Sequence, residues 1–172
     1  MRFSRVYEEA MMSKTKIIGL LVIMVFAFGL STMDYAAAGE KIKCRGFKYV
    51  TKWQPVEVGD KEGHALAIIE IMGIHHNLEG KPFCNGWSHR EVAVWDTASG
   101  GHGYEEIIDK DGDKIYMSWE ANKVREDGSE GTWSFSGGTG KYNGITGKGT
   151  WIGYNVAPMQ SYADWEGEYE LP

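Results

Sequence analysis

Alternation with a period of two constrains this chain more than any other feature. In the segment from Tyr162 to Leu171, the residues Ala163, Trp165, Gly167, Tyr169 and Leu171 fall on one side. Asp164, Glu166, Glu168 and Glu170 fall on the other. Successive side chains of a strand point to opposite faces, so the segment is predicted to be a strand with an apolar inner face and a solvated acidic outer face. Like charges along that outer face also discourage edge-to-edge pairing.

The same period recurs upstream. Lys41 to Trp53 is a long extended stretch, and Gly46 in its middle predicts a bulge that swaps the buried face. His64 to Met72 is apolar on both faces, which predicts a strand covered on both sides, by the barrel interior and by a helix, loop or second subunit. Arg90 to Thr97 alternates, with Val92 and Val94 opposed to Glu91, Ala93 and Trp95. Tyr104 to Asp109 and Lys114 to Ala121 flank Lys110-Asp111-Gly112-Asp113 and read as a hairpin. Gly131 to Ser136 and Gly149 to Tyr154 are two further aromatic strands. No amphipathic helix competes after residue 38. Many short strands separated by glycine turns predict an all-β domain, a closed antiparallel barrel or a sandwich.

The first 38 residues read as a leader. Lys14 and Lys16 precede the uncharged run Ile17 to Leu30, and Ala36-Ala37-Ala38 offers small residues for cleavage before Gly39. The alternative is a retained anchor, which needs about 20 apolar residues. The expected organisation is a signal peptide over 1–38 and one β-barrel domain over 39–172, placed in the periplasm or secreted. The whole chain has a formal charge of −6; residues 1–38 hold four basic and three acidic residues, so the remainder carries −7. Such a domain is a poor partner for nucleic acid or anionic lipid. Once exported, Cys44 and Cys84 would meet an oxidising compartment. As the only cysteine pair, they are expected to form a disulfide, worth on the order of 3–4 kcal/mol.

Between the two aromatic strands lies a glycine-rich segment, Gly137-Gly138-Thr139-Gly140-Lys141-Tyr142-Asn143-Gly144-Ile145-Thr146-Gly147-Lys148-Gly149. It lacks GxxxxGK[ST], and a strand rather than a helix follows, so it is not a phosphate cradle. Its glycines serve tight turns, with Tyr142 and Ile145 tucked beneath as anchors. No nucleotide or other cofactor is expected. The segment GGTGKYNGITGKGTW resembles the GGTG-[KIR]-[FY] turn of the allene oxide cyclase and dirigent barrels, and of exported bacterial proteins of that barrel type. The resemblance covers the character of residues 111–171. It implies an eight-stranded antiparallel barrel with an apolar cavity, and a trimer. It carries over no catalytic residue.

Several residues are candidates for chemistry. Glu70, if it points into the barrel, is a carboxylate in an apolar cavity fit for proton transfer; if it points out, it pairs with a Lys or Arg. Trp119, Trp133, Phe135, Trp165 and Tyr169, with Glu70, are the expected pocket residues, against the simpler reading of aromatics filling a core. Asp109, Asp111 and Asp113, with Glu120, have the spacing of a calcium loop, but Lys114 replaces its glycine, and a plain hairpin turn is the competing reading. Among the histidines at 64, 75, 76, 89 and 102, His76, His89 and His102 leave a metal site open that spacing alone does not reveal. Three functions follow: a barrel binding a small apolar molecule, a cyclase or isomerase using a buried acid in an aromatic pocket, or an interaction module with a filled barrel.

Overall fold

The computed structural model describes residues 39–172, so the leader reading lies outside the described residues. The compact unit begins at Gly39. It consists of β1 (Glu40–Glu57), β2 (Ala65–Glu79), β3 (Trp87–Asp96), β4 (Gly100–Ile108), β5 (Lys114–Arg125), β6 (Gly128–Gly138), β7 (Thr146–Ala157) and β8 (Gln160–Glu170), with a 3-10 turn at Gly140–Tyr142 before β7. Each strand pairs antiparallel with the next, and β8 pairs with β1, which closes the barrel and leaves no sheet edge.

Strand alternation sorts the residues as the sequence indicates. On β8 the inward positions Ala163, Trp165 and Tyr169 are buried. On β2 the row Ala65, Ala67, Ile69 and Ile71 is buried, and Leu66, Ile68, Met72 and Ile74 stand outside and exposed. Neighbouring strands extend that outer apolar row: Phe47 is paired with Ile74, Tyr49 with Met72, and Val94 with Ile68.

Gly46 is not a bulge. The inward positions run without interruption through Cys44, Gly46 and Lys48, and the irregularities of β1 fall at Lys43/Cys44 and Val50/Lys52. Glycine is needed for a different reason. A Cβ at Gly46 would lie 2.9 Å from the His75 ring, and one at Gly73 would lie 2.2 Å from His89 Nε2 and 1.8 Å from the Phe47 carbonyl oxygen. Both positions give up a side chain so that two imidazoles fit inside the barrel.

The interior has two halves. At the end carrying the β2–β3, β4–β5 and β6–β7 connections, aromatic side chains fill the barrel. Phe83 stacks on Tyr169 at 4.3 Å and meets Trp87, Phe135 and Tyr142. Ile107 and Ile115 are fully buried, and Tyr142 and Ile145 of the glycine-rich segment are buried as anchors. The structure does not join the expected cysteine pair: Cys44 and Cys84 are both buried free thiols. Cys44 Sγ lies 3.5 Å from the Phe83 carbonyl oxygen. Burial, with Cys44 beside it, pushes the Cys84 thiol well up. Both buried sulfurs pack at this end of the barrel.

Candidate functional site

The other half of the barrel is open. A cavity of about 320 Å³ reaches inward from the end carrying the β5–β6 and β7–β8 turns. Its wall includes Trp53, Trp95, Trp119, Trp133, Trp151 and Trp165, with Ile69, Ile71 and Met117. Trp119 meets Trp151 edge-on at 5.8 Å, and Trp133 meets Trp165 at 5.2 Å. At the mouth, Arg125 lies over Tyr154 and is held by Asp127 and Glu130.

Five ionisable side chains sit at the depth of the cavity: Lys48 from β1, His75 from β2, His89 and Glu91 from β3, and Glu105 from β4. His75, His89, Glu91 and Glu105 are essentially without solvent exposure. Lys48, His75, Glu91 and Glu105 contribute to the cavity wall. Their position follows from register. If Ile69 and Ile71 face inward on β2, so do residues 73 and 75. If Ala93 faces inward on β3, so do 91 and 89.

The hydrogen bonds fix the protons. Indole N–H is a donor only, and the Nε1–H of Trp165 donates to His75 Nδ1 at 3.2 Å. The His75 proton is therefore on Nε2, which donates to Glu105. Burial lowers the His75 pKa more than Glu105 raises it, so this imidazole is neutral. His89 differs. Its Nε2 donates to the Phe47 carbonyl oxygen at 3.2 Å, and its Nδ1 lies 3.1 Å from both Glu105 Oε1 and Glu91 Oε1. Nε2 has an acceptor and Nδ1 lies between two carboxylates, which favours the imidazolium, although Nδ1 makes no well-directed hydrogen bond to either. Burial opposes that charge, but Glu105 and Glu91 outweigh it and raise the pKa to about 10. Glu105 is likewise held well below the carboxylate range by His89 and His75, against the effect of its own burial. Lys48 Nζ lies 2.7 Å from Glu91 Oε1 and stays charged, Glu91 and Glu105 outweighing its desolvation. The cluster holds two cations, two anions and one neutral imidazole.

Ligand atoms of His75, His89 and Glu105 lie within 4.8 Å of one another, a spacing that one metal ion could bridge. The donor set does not fit a metal as arranged. Trp165 occupies the His75 Nδ1 lone pair, which puts the proton on the nitrogen that would have to ligate.

The sequence candidates are distributed as follows. Trp119, Trp133 and Trp165 reach the cavity. Phe135 and Tyr169 belong to the filled half. Of the two orientations open to Glu70 the structure shows the outward one: it is bonded to Lys52 at 3.3 Å and Arg90 at 3.4 Å, because it shares parity with Leu66 and Ile68. Of the histidines, His76 and His102 are exposed, and the interior pair is His75 and His89. Asp109, Asp111 and Asp113 lie in the hairpin turn between β4 and β5. The buried Asp109 accepts the backbone N–H groups of Asp111 and Asp113 and the Tyr142 hydroxyl. The Lys141 ammonium contacts Asp109 and lies 2.8 Å from Asp111 and 4.0 Å from Asp113. Lysine supplies the cation, and Glu120 is exposed on β5.

No protein-family model matches this chain, and no curated protein matches it in sequence.

Proposed function

We propose that this barrel binds a small, largely apolar molecule, which enters at the β5–β6 end and rests its polar end on Lys48, Glu91 and Glu105. The observation that carries this reading is the half-filled interior. Aromatics close one end, and the other keeps a tryptophan-walled space of about 320 Å³, within the size range of small-molecule sites. A wholly filled interaction module would leave no such space. Isothermal titration with 2-methylnaphthalene tests the reading, with Ala163→Trp as the blocked control, since Ala163 lines the cavity. Wild type is expected to bind and the blocked variant to lose binding. No uptake by wild type, or equal uptake by both, overturns it.

Cyclase or isomerase chemistry is the second reading, favoured by ionisable groups at the cavity floor. Its weakness is proton affinity. Acid–base catalysts work best with pKa values near the working pH. Glu105 is held far below neutrality and His89 far above it. The groups are set as fixed charges, which favours binding.

The kinship with allene oxide cyclase and dirigent barrels remains part of this proposal. Its support is the closed eight-stranded barrel and the place of the Gly137–Gly149 segment between β6 and β7. The outer apolar row of β2 supports the implied oligomer, and sedimentation of wild type against Ile68→Glu tests it. Export is proposed too, supported by the start of the compact unit at Gly39. The mature protein should begin at or near that residue and be found in the periplasm or medium.

A further inference from the structure

Five buried polar atoms of the cluster and cavity lack a well-directed hydrogen bond: His89 Nδ1, both carboxylate oxygens of Glu91, Oε2 of Glu105, and the indole Nε1–H of Trp119. His89 Nδ1 and Glu91 Oε1 still lie in ion pairs, at 3.1 and 2.7 Å, which leaves Glu91 Oε2, Glu105 Oε2 and Trp119 Nε1 unpartnered among the described residues. The three residues line the cavity, and Glu91 and Glu105 are at most 2% exposed. Buried polar groups in folded proteins almost always have a partner, and unpaired ones need an explanation. Water serves such atoms until a ligand displaces it, and a ligand that does not replace those hydrogen bonds binds less well.

The unpaired atoms specify what the replacement must offer. Two are carboxylate oxygens, which accept only, so the ligand must donate to them. The third is an N–H, which is served by a lone pair on the same head group. Charge narrows the choice further. Lys48 and His89 already balance Glu91 and Glu105 through contacts of 2.7 and 3.1 Å. An added carboxylate would be a third buried anion facing two others. An added ammonium would be a third buried cation with no counter-charge left over.

We infer that the ligand of this cavity carries a neutral hydrogen-bond-donating head, a hydroxyl or carboxamide rather than an acid or amine, which docks on Glu91, Glu105 and Trp119 while its apolar body lies among the tryptophans. This rests on the binding reading and specifies its ligand class.

A matched series tests it. Calorimetric titration compares 2-naphthalenemethanol, 2-naphthoate, 2-naphthylmethylammonium and 2-methylnaphthalene, which share one aromatic body. The alcohol is expected to bind about ten-fold or more tightly than each of the others, the effect of hydrogen bonds to charged acceptors. Glu91→Gln keeps the side-chain shape and turns one acceptor into a donor. It should reduce the alcohol's advantage over methylnaphthalene. If that variant loses the barrel circular-dichroism signature, Glu105→Gln makes the same test at the neighbouring oxygen. Equal binding of alcohol and hydrocarbon, tightest binding by the acid or the amine, or an unchanged preference in a folded variant overturns the inference and leaves the cavity reading intact. Failure of all four, methylnaphthalene included, removes the cavity reading and this inference with it.

Discussion

Trp165 and His75 are joined by a 3.2 Å hydrogen bond in which the indole N–H donates and the imidazole Nδ1 accepts. That bond selects the tautomer, and the tautomer delivers the Nε2 proton to Glu105. Nitrogen-15 correlation spectra of the folded protein should show His75 neutral and protonated at Nε2 at pH 7. Trp165→Phe removes the selecting donor, and the His75 spectrum should then shift toward a mixture of tautomers. A His75 imidazolium at pH 7, or an unchanged tautomer in the variant, contradicts the assignment.

Stability should have maxima in a narrow pH window set by the same cluster. The folded His89 pKa, about 10, lies above its unfolded value near 6.5. Its contribution is therefore complete below about pH 6.5 and is lost as pH rises toward 10. Glu105 has the opposite sign. Its folded pKa is depressed, so its contribution is present above the unfolded value near 4.3 and lost as pH falls further. Urea unfolding should give the greatest stability between about pH 5 and 6.5, with a loss on the order of a few kcal/mol by pH 10. His89→Gln should flatten the alkaline limb. A limb that persists unchanged would assign the titration to another group.

How much of this was legible in the sequence depends on what each signal measures. Alternation on β2 and β8 gave the fold and the inward rows, because burial of Ile69, Ile71, Trp165 and Tyr169 is a local pattern. The same rule read two residues further would have placed His75 inside, and read back from Ala93 it would have placed Glu91 and His89 inside. Hydrophobicity argued against this, since β3 presents Val92 and Val94 outward and a carboxylate inward. Burying those charges requires partners on β1 and β4, and pairing between distant strands leaves no mark in spacing. Glu70 attracted notice as a carboxylate in the most apolar segment, but parity sends it to the outer face. Glu70→Gln should accordingly leave ligand affinity within about two-fold of wild type.

Glycine at position 73 should be far less replaceable than glycine in an outer loop. A Cβ there would meet backbone at 1.8 Å and the His89 ring at 2.2 Å, with no room for either to yield. Gly73→Ala should cost about 3 kcal/mol or more, as severe overpacking does. Gly59 has a φ of +81° and nothing within 4 Å of an added Cβ. Gly59→Ala should therefore cost only about 1–2 kcal/mol, the backbone penalty. Chemical denaturation of the pair checks the ordering, and equal losses would deny that the Phe47 carbonyl and the His89 ring occupy the space beside Gly73.

The acidic turn between β4 and β5 should be insensitive to calcium, because a lysine already provides its cation. Asp109 is buried, and its carboxylate takes two backbone N–H groups, the Tyr142 hydroxyl and the Lys141 ammonium. Despite its burial, these contacts keep its pKa lowered, with Lys141 the strongest of them. Asp111, paired with Lys110 and Lys141, is lowered to about 2. Adding millimolar calcium should leave the wild-type melting temperature unchanged. Lys141→Met removes the counter-ion shared by Asp109 and Asp111 and should lower the melting temperature more than Lys110→Met, whose lysine is exposed and reaches Asp111 alone. In the Lys141→Met variant Asp109 and Asp113 lose their cation and Lys110 still reaches only Asp111, so calcium should recover part of the lost stability. Stabilisation of the wild type by calcium, or a greater loss from Lys110→Met, would mean that Lys141 is not the group holding this turn to the glycine-rich segment.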